Sequence, residues 1–173
     1  MIYEAELEAV IYDAGMPFTE RLRNLPWLGT AGFARIGKRV FPRVDLAAQR
    51  ASRGRLSLTG GVGIPLLLLT TTGRHSGQPR VTPLIYAEDG AGYLVVGSNW
   101  GQREHPAWAL NLSAAPDAAV EIHGSRTEVT ARPLHDGERA DAWKLLTTVW
   151  PHFDTYARRA TERELLVFRL TER

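Results

Sequence analysis

The sequence predicts a mainly antiparallel α+β fold, a small and partly opened β-barrel, and three observations carry that prediction. Residues 66–86 (LLLLTTTGRHSGQPRVTPLIY) hold two apolar, β-leaning runs around a short polar turn, the pattern of a hairpin. Further short runs, 93–97 (YLVVG), 118–122, 126–131 and 165–170 (LLVFRL), follow with tight turns between several of them. Only two helical patterns of any length interrupt this series. Neighbouring strands joined by short turns pair antiparallel, whereas a parallel sheet needs a crossover of a dozen residues or more each time.

The elements follow in order. Residues 3–12 are a short acidic helical segment, with Leu7, Val10 and Ile11 at helical spacing. Residues 30–41 predict a helix with Phe33, Ile36, Val40 and Phe41 on one side and Arg35, Lys38 and Arg39 on the other; Pro42 ends it, and 44–51 resume as a second. Residues 53–63 carry four glycines and read as a linker. The domain division is therefore an N-terminal helical, basic extension at 1–60 and a β domain at 61–173.

Within the β domain, 66–72 show no alternation and predict a strand buried on both faces, and 80–86 close the hairpin. A turn at 88–92 leads to the third strand. His105 or Glu104 opens a helix containing Trp108, Leu110 and Leu112 that ends before Pro116. A second hairpin turns at 123–125. Asp136 then caps a helix with Ala140, Trp143, Leu146 and Trp150 on one face, and Pro151 stops it. Residues 155–164 form a short polar, helical segment before the last strand.

Composition narrows the chemistry. The chain has 173 residues, 44% hydrophobic and 23% charged, ordinary for a soluble globular protein. It has no cysteine, which excludes disulfides, thiolate catalysis and thiolate metal sites. The five histidines show no HxH or HxxxH spacing, so no metal site is expected. The longest apolar run is too short to span a bilayer, and 1–13 lack a secretory-signal pattern, so the expected compartment is the cytoplasm. Net charge is +2, yet 21–55 hold nine Lys/Arg against Asp45 alone. That block suits a solvated helix face or peripheral contact with an anionic membrane at its inner face. It has no nucleic-acid motif, and no nucleic-acid partner is expected.

The turn at 73–80 is the place to hold an anion. It gathers Arg74, His75, Ser76 and Arg80 with glycine-freed backbone amides, and the hairpin returns Arg80 towards Arg74. It is neither a Walker loop nor a dinucleotide fingerprint. Trp100 and Trp108 stand beside loops where an indole could stack on a planar heterocycle. Trp150, with Phe153 and Tyr156, could line an apolar pocket. No nucleophile or carboxylate pair is evident, which points to a cofactor as the carrier of the reaction.

Residues 70–83 (TTTGRHSGQPRVTP), 95–101 (VVGSNWG), 105–111 (HPAWALN) and the WPxFxxY stretch at 150–156 resemble, in order, the deazaflavin-dependent nitroreductase family. Its members are coenzyme F420-dependent oxidoreductases with a split β-barrel, FMN-binding-like fold. The resemblance implies hydride transfer from C5 of the reduced deazaflavin of F420H2 to a small-molecule electron acceptor: a quinone, an activated alkene or a nitro compound. It implies that Arg74, His75 and Ser76, helped by Arg80, hold the phosphate and glutamyl tail. Val81, Thr82, Pro83, Leu84 and Ile85 would run along the ring, with Val96, Gly97, Ser98 and Asn99 as another wall. Ala107, Trp108, Ala109, Leu110 and Asn111 would close the cleft, centred on Trp108. Phe153 would pack on the deazaflavin, and Trp150 and Tyr156 would line the substrate pocket. Tyr156 and Ser98 are the expected catalytic groups, for proton supply and for polarising the acceptor. His75 stands where the family commonly has lysine, and imidazole carries less charge than ammonium near neutral pH. Two alternatives stay open: an FMN-dependent split-barrel reductase, and a non-catalytic deazaflavin-binding or membrane-surface protein. The assembly is a monomer or a homodimer.

Overall fold

The protein is described by a computed structural model over residues 64–173. The expected basic extension, its helices and the whole of the glycine linker lie outside the described residues. Seven strands form one antiparallel sheet: β1 (Leu66–Thr72), β2 (Pro79–Ile85), β3 (Ala87–Glu88), β4 (Tyr93–Val96), β5 (Asp117–Ile122), β6 (Ser125–Pro133) and β7 (Val167–Glu172). Their order across the sheet is β2-β1-β5-β6-β7-β4-β3. All six strand pairings are antiparallel, and short turns join the strands of three of them, β1–β2, β3–β4 and β5–β6. Among the described residues β2 and β3 are the edges, so the strands form a half-barrel and not a closed one. Three helices accompany them: α1 (Ala107–Ala114), α2 (Asp136–Val149) and α3 (His152–Arg159).

Period-two alternation sends successive side chains to opposite faces, and both faces here are covered. On one face Leu67, Leu69, Val95, Val120, Val129, Phe168 and Leu170 pack against Trp108, Ala109 and Leu112 of α1. On the other, Leu94, Val96 and Val167 pack against Leu146 of α2 and against Trp150, Phe153 and Tyr156. Burial on both faces explains why 66–69 are four leucines in succession. Each such side chain contributes about 1.5–3 kcal/mol relative to exposure.

An ionic link ties the β3–β4 turn to the sheet and to α2. Arg169 Nε and Nη2 reach Asp89 Oδ2 at 2.7 and 2.6 Å, and Nη1 reaches Glu138 Oε1 at 3.3 Å. Arg132 grips Glu138 with both guanidinium nitrogens, at 2.7 and 2.8 Å. The hydrogen bonds from Arg132, then its charge and that of Arg169, hold the Glu138 carboxyl down at about 2.

Several expectations need correction. Pro151, expected only to stop α2, also stands at the N-cap of α3, where its fixed φ suits the start of a helix. The segment expected at 155–164 is helical only as far as Arg159. His135 occupies the N-cap of α2, and Asp136, with φ of 47°, makes no side-chain cap. Ala140 is exposed; Ala142 and Leu146 are the buried residues of that helix. The helix expected from 104 or 105 begins at Ala107, after Pro106.

Candidate functional site

The turn closing β1 and β2 is built by short-range bonds. Gly73 N–H donates to the Gln78 carbonyl at 2.9 Å, and the Ser76 and Gly77 amides donate to the Gly73 carbonyl at 3.1 and 2.7 Å. Gly77 has φ of 67°, a conformation open to glycine without strain. The Gln78 amide donates to Ser76 Oγ at 3.3 Å. The amides of Gly73, Ser76, Gly77 and Gln78 are spent inside the turn, which leaves an anion fewer backbone donors than the expected nest. What the turn offers an anion is side chains: Arg74, His75, Ser76 and Arg80 are all exposed. Arg80 Nη2 lies 3.5 Å from Ser76 Oγ, so the hairpin does bring Arg80 back over the turn.

Arg74 is tied to α1. Its backbone N–H and its Nη1 both donate to Asn111 Oδ1, at 3.2 and 3.3 Å. Asn111 Nδ2 in turn donates to Thr71 Oγ1 at 3.1 Å. Asn111 is only 4% exposed, so a buried amide is satisfied on both sides while it fixes the base of Arg74. Asn111 thus meets the turn, which was expected only of the cofactor.

The other residues of α1 divide by face. Ala107 is exposed and Leu110 half-buried, while Trp108 and Ala109 face the sheet. The Trp108 ring lies 6.0 Å from that of Phe168, centroid to centroid. The indole anchors the helix to the core. On β2, Val81 is exposed and Thr82, Pro83, Leu84 and Ile85 are half-buried, leaving an edge strand with apolar surface beside the turn.

The loop after β4 abuts the start of α1. A Cβ on Gly97 would sit 3.3 Å from Ala109 Cβ and 3.5 Å from Pro106 Cγ, so glycine permits that close approach. Val96 is buried, whereas Ser98 and Asn99 are partly exposed. Asn99, Trp100 and Gly101 have successive φ values of 45°, 59° and 74°. A tryptophan in this left-handed region is strained and stays there only when its surroundings dictate it. Asn99 Nδ2 donates to the Glu104 carbonyl at 2.8 Å. Gly101 rests on α3, where a Cβ would fall 2.8 Å from the Tyr156 carbonyl oxygen and from Arg159 Cβ. The Trp100 and Tyr156 rings are 5.8 Å apart.

On α3, Phe153 and Tyr156 are 4% and 2% exposed, and Trp150 just before it is 5%. They pack together as core, so none of the three lines an open surface. Burial pushes the Tyr156 phenol up to about 12, despite a hydrogen bond from the Trp150 indole that acts the other way. A buried phenol with that value is a poor proton source near neutral pH.

The structure therefore joins the expected segments in one continuous line: turn, α1, the 97–102 loop and α3. Arg163 was missed. It donates to the carbonyls of Gly97, Ser98 and Gln102 at 3.0, 2.8 and 3.0 Å. It sits in a polar stretch that looked like solvated loop; the one available signal was a loop whose carbonyls needed donors from somewhere. Among the described residues, no group of three His, Cys, Asp or Glu could hold a metal ion, and no helix is long and apolar enough to cross a membrane.

The side chains present suit a ligand with an anionic tail and a flat apolar ring. Two arginines, a hydroxyl and an imidazole stand at one end of a half-buried strand, and a fixed loop stands across α1. The family described as F420H(2)-dependent quinone reductase matches residues 41–172. The F420H(2)-dependent quinone reductase of Mycobacterium tuberculosis strain H37Rv is 37% identical over 133 residues, 76% of this chain and 89% of that protein. The solved F420-H2 dependent reductase FDR-A superposes with a TM-score of 0.57 at 36% identity, covering 61% of this chain and 93% of its own. A solved domain-swapped dimer superposes at 0.59 with 32% identity, covering 74% and 96%. The chain belongs to the F420H2-dependent quinone reductase family, and is a split-barrel oxidoreductase that uses F420H2 to reduce a quinone-type acceptor.

Proposed function

We propose that the turn 73–80 binds the phosphate and glutamyl tail of the cofactor and that β2, Ser98 and α1 flank its ring. The observation that carries this reading is the bond from Arg74 to Asn111, which seats an exposed guanidinium at the end of an apolar edge strand. A planar guanidinium matches phosphate and carboxylate oxygens two at a time. Arg74 and Arg80 supply the charge, Ser76 a hydroxyl, and His75 a smaller contribution than lysine would give.

F420H2 supplies a hydride when bound. The chain's share is to orient and to exclude water. Val81 to Ile85 offer the ring an apolar strand. Ser98, on a backbone fixed from three sides, is placed to polarise the acceptor oxygen or a ring carbonyl. The proton that completes quinone reduction comes from solvent, since the Tyr156 hydroxyl is buried, paired with Trp150 and held at about 12. Trp150, Phe153 and Tyr156 support the loop from beneath. Quinones are the acceptor class this reading favours; activated alkenes and nitro compounds are electron-poor substrates of the same type.

The test is direct. Purified protein given F420H2 and a soluble quinone is expected to oxidise the cofactor in proportion to enzyme, and FMN is expected to leave that rate unchanged. Turnover that requires FMN would overturn the cofactor assignment.

A further inference from the structure

We propose that Arg163 is a positioning residue for quinone reduction: its guanidinium fixes the 97–102 loop, and so Ser98, against the cofactor. The inference rests on the site reading given above. Arg163 lies more than 60 residues downstream of the carbonyls it meets, and it is only partly exposed.

The geometry uses nearly the whole fork. Nε donates to the Gln102 carbonyl at 3.0 Å, Nη1 to the Gly97 carbonyl at 3.0 Å, and Nη2 to the Ser98 carbonyl at 2.8 Å. Nη1 also stands 3.3 Å from His105 Nδ1, which accepts from it when the imidazole is neutral and carries its proton on Nε2. One rigid plane therefore sets both ends of the loop at once. Lysine cannot copy this, because its three donors radiate from one atom.

The loop needs such a clamp. Three successive residues have positive φ, and two of them are Asn99 and Trp100. For the two that are not glycine, such a conformation persists only where the surroundings over-determine it. Here the surroundings are Arg163 on the carbonyl side, Asn99 Nδ2 on the Glu104 carbonyl, and α3 beneath Gly101. Arg163 lies on the segment between α3 and β7, where the Gly97 amide also donates to the Leu166 carbonyl at 2.7 Å. The carbonyl bonds of Ser98 hold its backbone while its hydroxyl is left to the site.

The experiment compares wild type with Arg163→Lys, both shown folded by near-ultraviolet circular dichroism and assayed well below their unfolding temperatures. The expected result is an F420 Kd raised about tenfold and a kcat lowered about tenfold to a hundredfold, the scale for misplacement by an ångström, with quinone KM little changed. A folded Arg163→Lys with wild-type Kd and kcat would overturn the proposal and leave Arg163 a merely structural residue. Should that variant not fold, NMR of the wild-type protein decides. The Arg163 Nε–H signal and the Ser98 amide are expected to shift together as F420 is added; an unchanged pair would overturn the proposal. A wild-type protein that binds no F420 would bring down the cofactor reading and this inference with it. Wild-type binding with an indifferent Arg163→Lys would remove this inference alone.

Discussion

The turn 73–78 and the loop 97–102 both lie against α1, yet they are held by opposite means. The turn closes on itself: every bond that shapes it spans a few residues, and only Arg74 reaches out, to Asn111. The loop has strained backbone and depends on a guanidinium from far along the chain. A self-closing turn can present mobile, charged side chains to solvent, which suits capture of a flexible anionic tail. A clamped loop gives up mobility for a fixed hydroxyl, which suits contact with reacting atoms. On the proposed reading, binding and positioning would be built in two different ways around one short helix.

Breaking the shared support should have the largest effect. Trp108→Ala removes the indole that seats α1 on Phe168, and large-to-small changes of this type cost about 3–5 kcal/mol. Urea unfolding is expected to show that loss, together with weakened F420 binding. Unaltered stability would mean that α1 is not anchored by this residue.

Asn111→Ala acts on the turn side only. It leaves Thr71 Oγ1 without its donor and Arg74 without its acceptor, at roughly 1–3 kcal/mol in stability. Its F420 affinity is expected to fall while the quinone KM holds. A variant that loses quinone affinity alone would place Asn111 on the acceptor and not on the turn.

The smallest expected effect lies on the loop side and depends on pH. Burial, and then the Arg163 charge, hold His105 below its ordinary value of 6.5. Burial lowers Arg163 itself, and the Glu104 charge opposes that shift. The unfolded chain therefore binds more protons at this position than the folded one as pH falls through 6.5. The contribution is intact above that pH and is lost as the solution becomes more acidic. Thermal unfolding followed from pH 7.5 to 5.5 is expected to show a decline that His105→Gln reduces. An identical decline in the variant would assign it elsewhere.

How much of this was legible follows the same division. The turn could be read because glycine, proline and arginine stand within eight residues of one another. The hairpin register then brings Thr71 opposite Arg80 as alternation requires. The succession of the longer strands along the chain was visible for the same reason, each run being bounded by its own turn, whereas the two-residue β3 and the order across the sheet were not. Arg163 was invisible because nothing local links it to Ser98. The burial of Trp108 and Tyr156 was not legible, because an aromatic beside a loop has the same spacing whether it faces a cleft or the core. Pro151 was read as a stop when its position could equally begin a helix.

The central claim is that Arg74 at the turn holds the anionic end of F420. Titrating F420 into wild type and Arg74→Ala at low salt, with cofactor fluorescence as the signal, tests it most directly. The account predicts saturable binding by wild type and a Kd about tenfold to a hundredfold higher in the variant, the scale for lost charge-assisted bonds, with unfolding little changed because Arg74 is exposed. Equal affinity in the two proteins would contradict it.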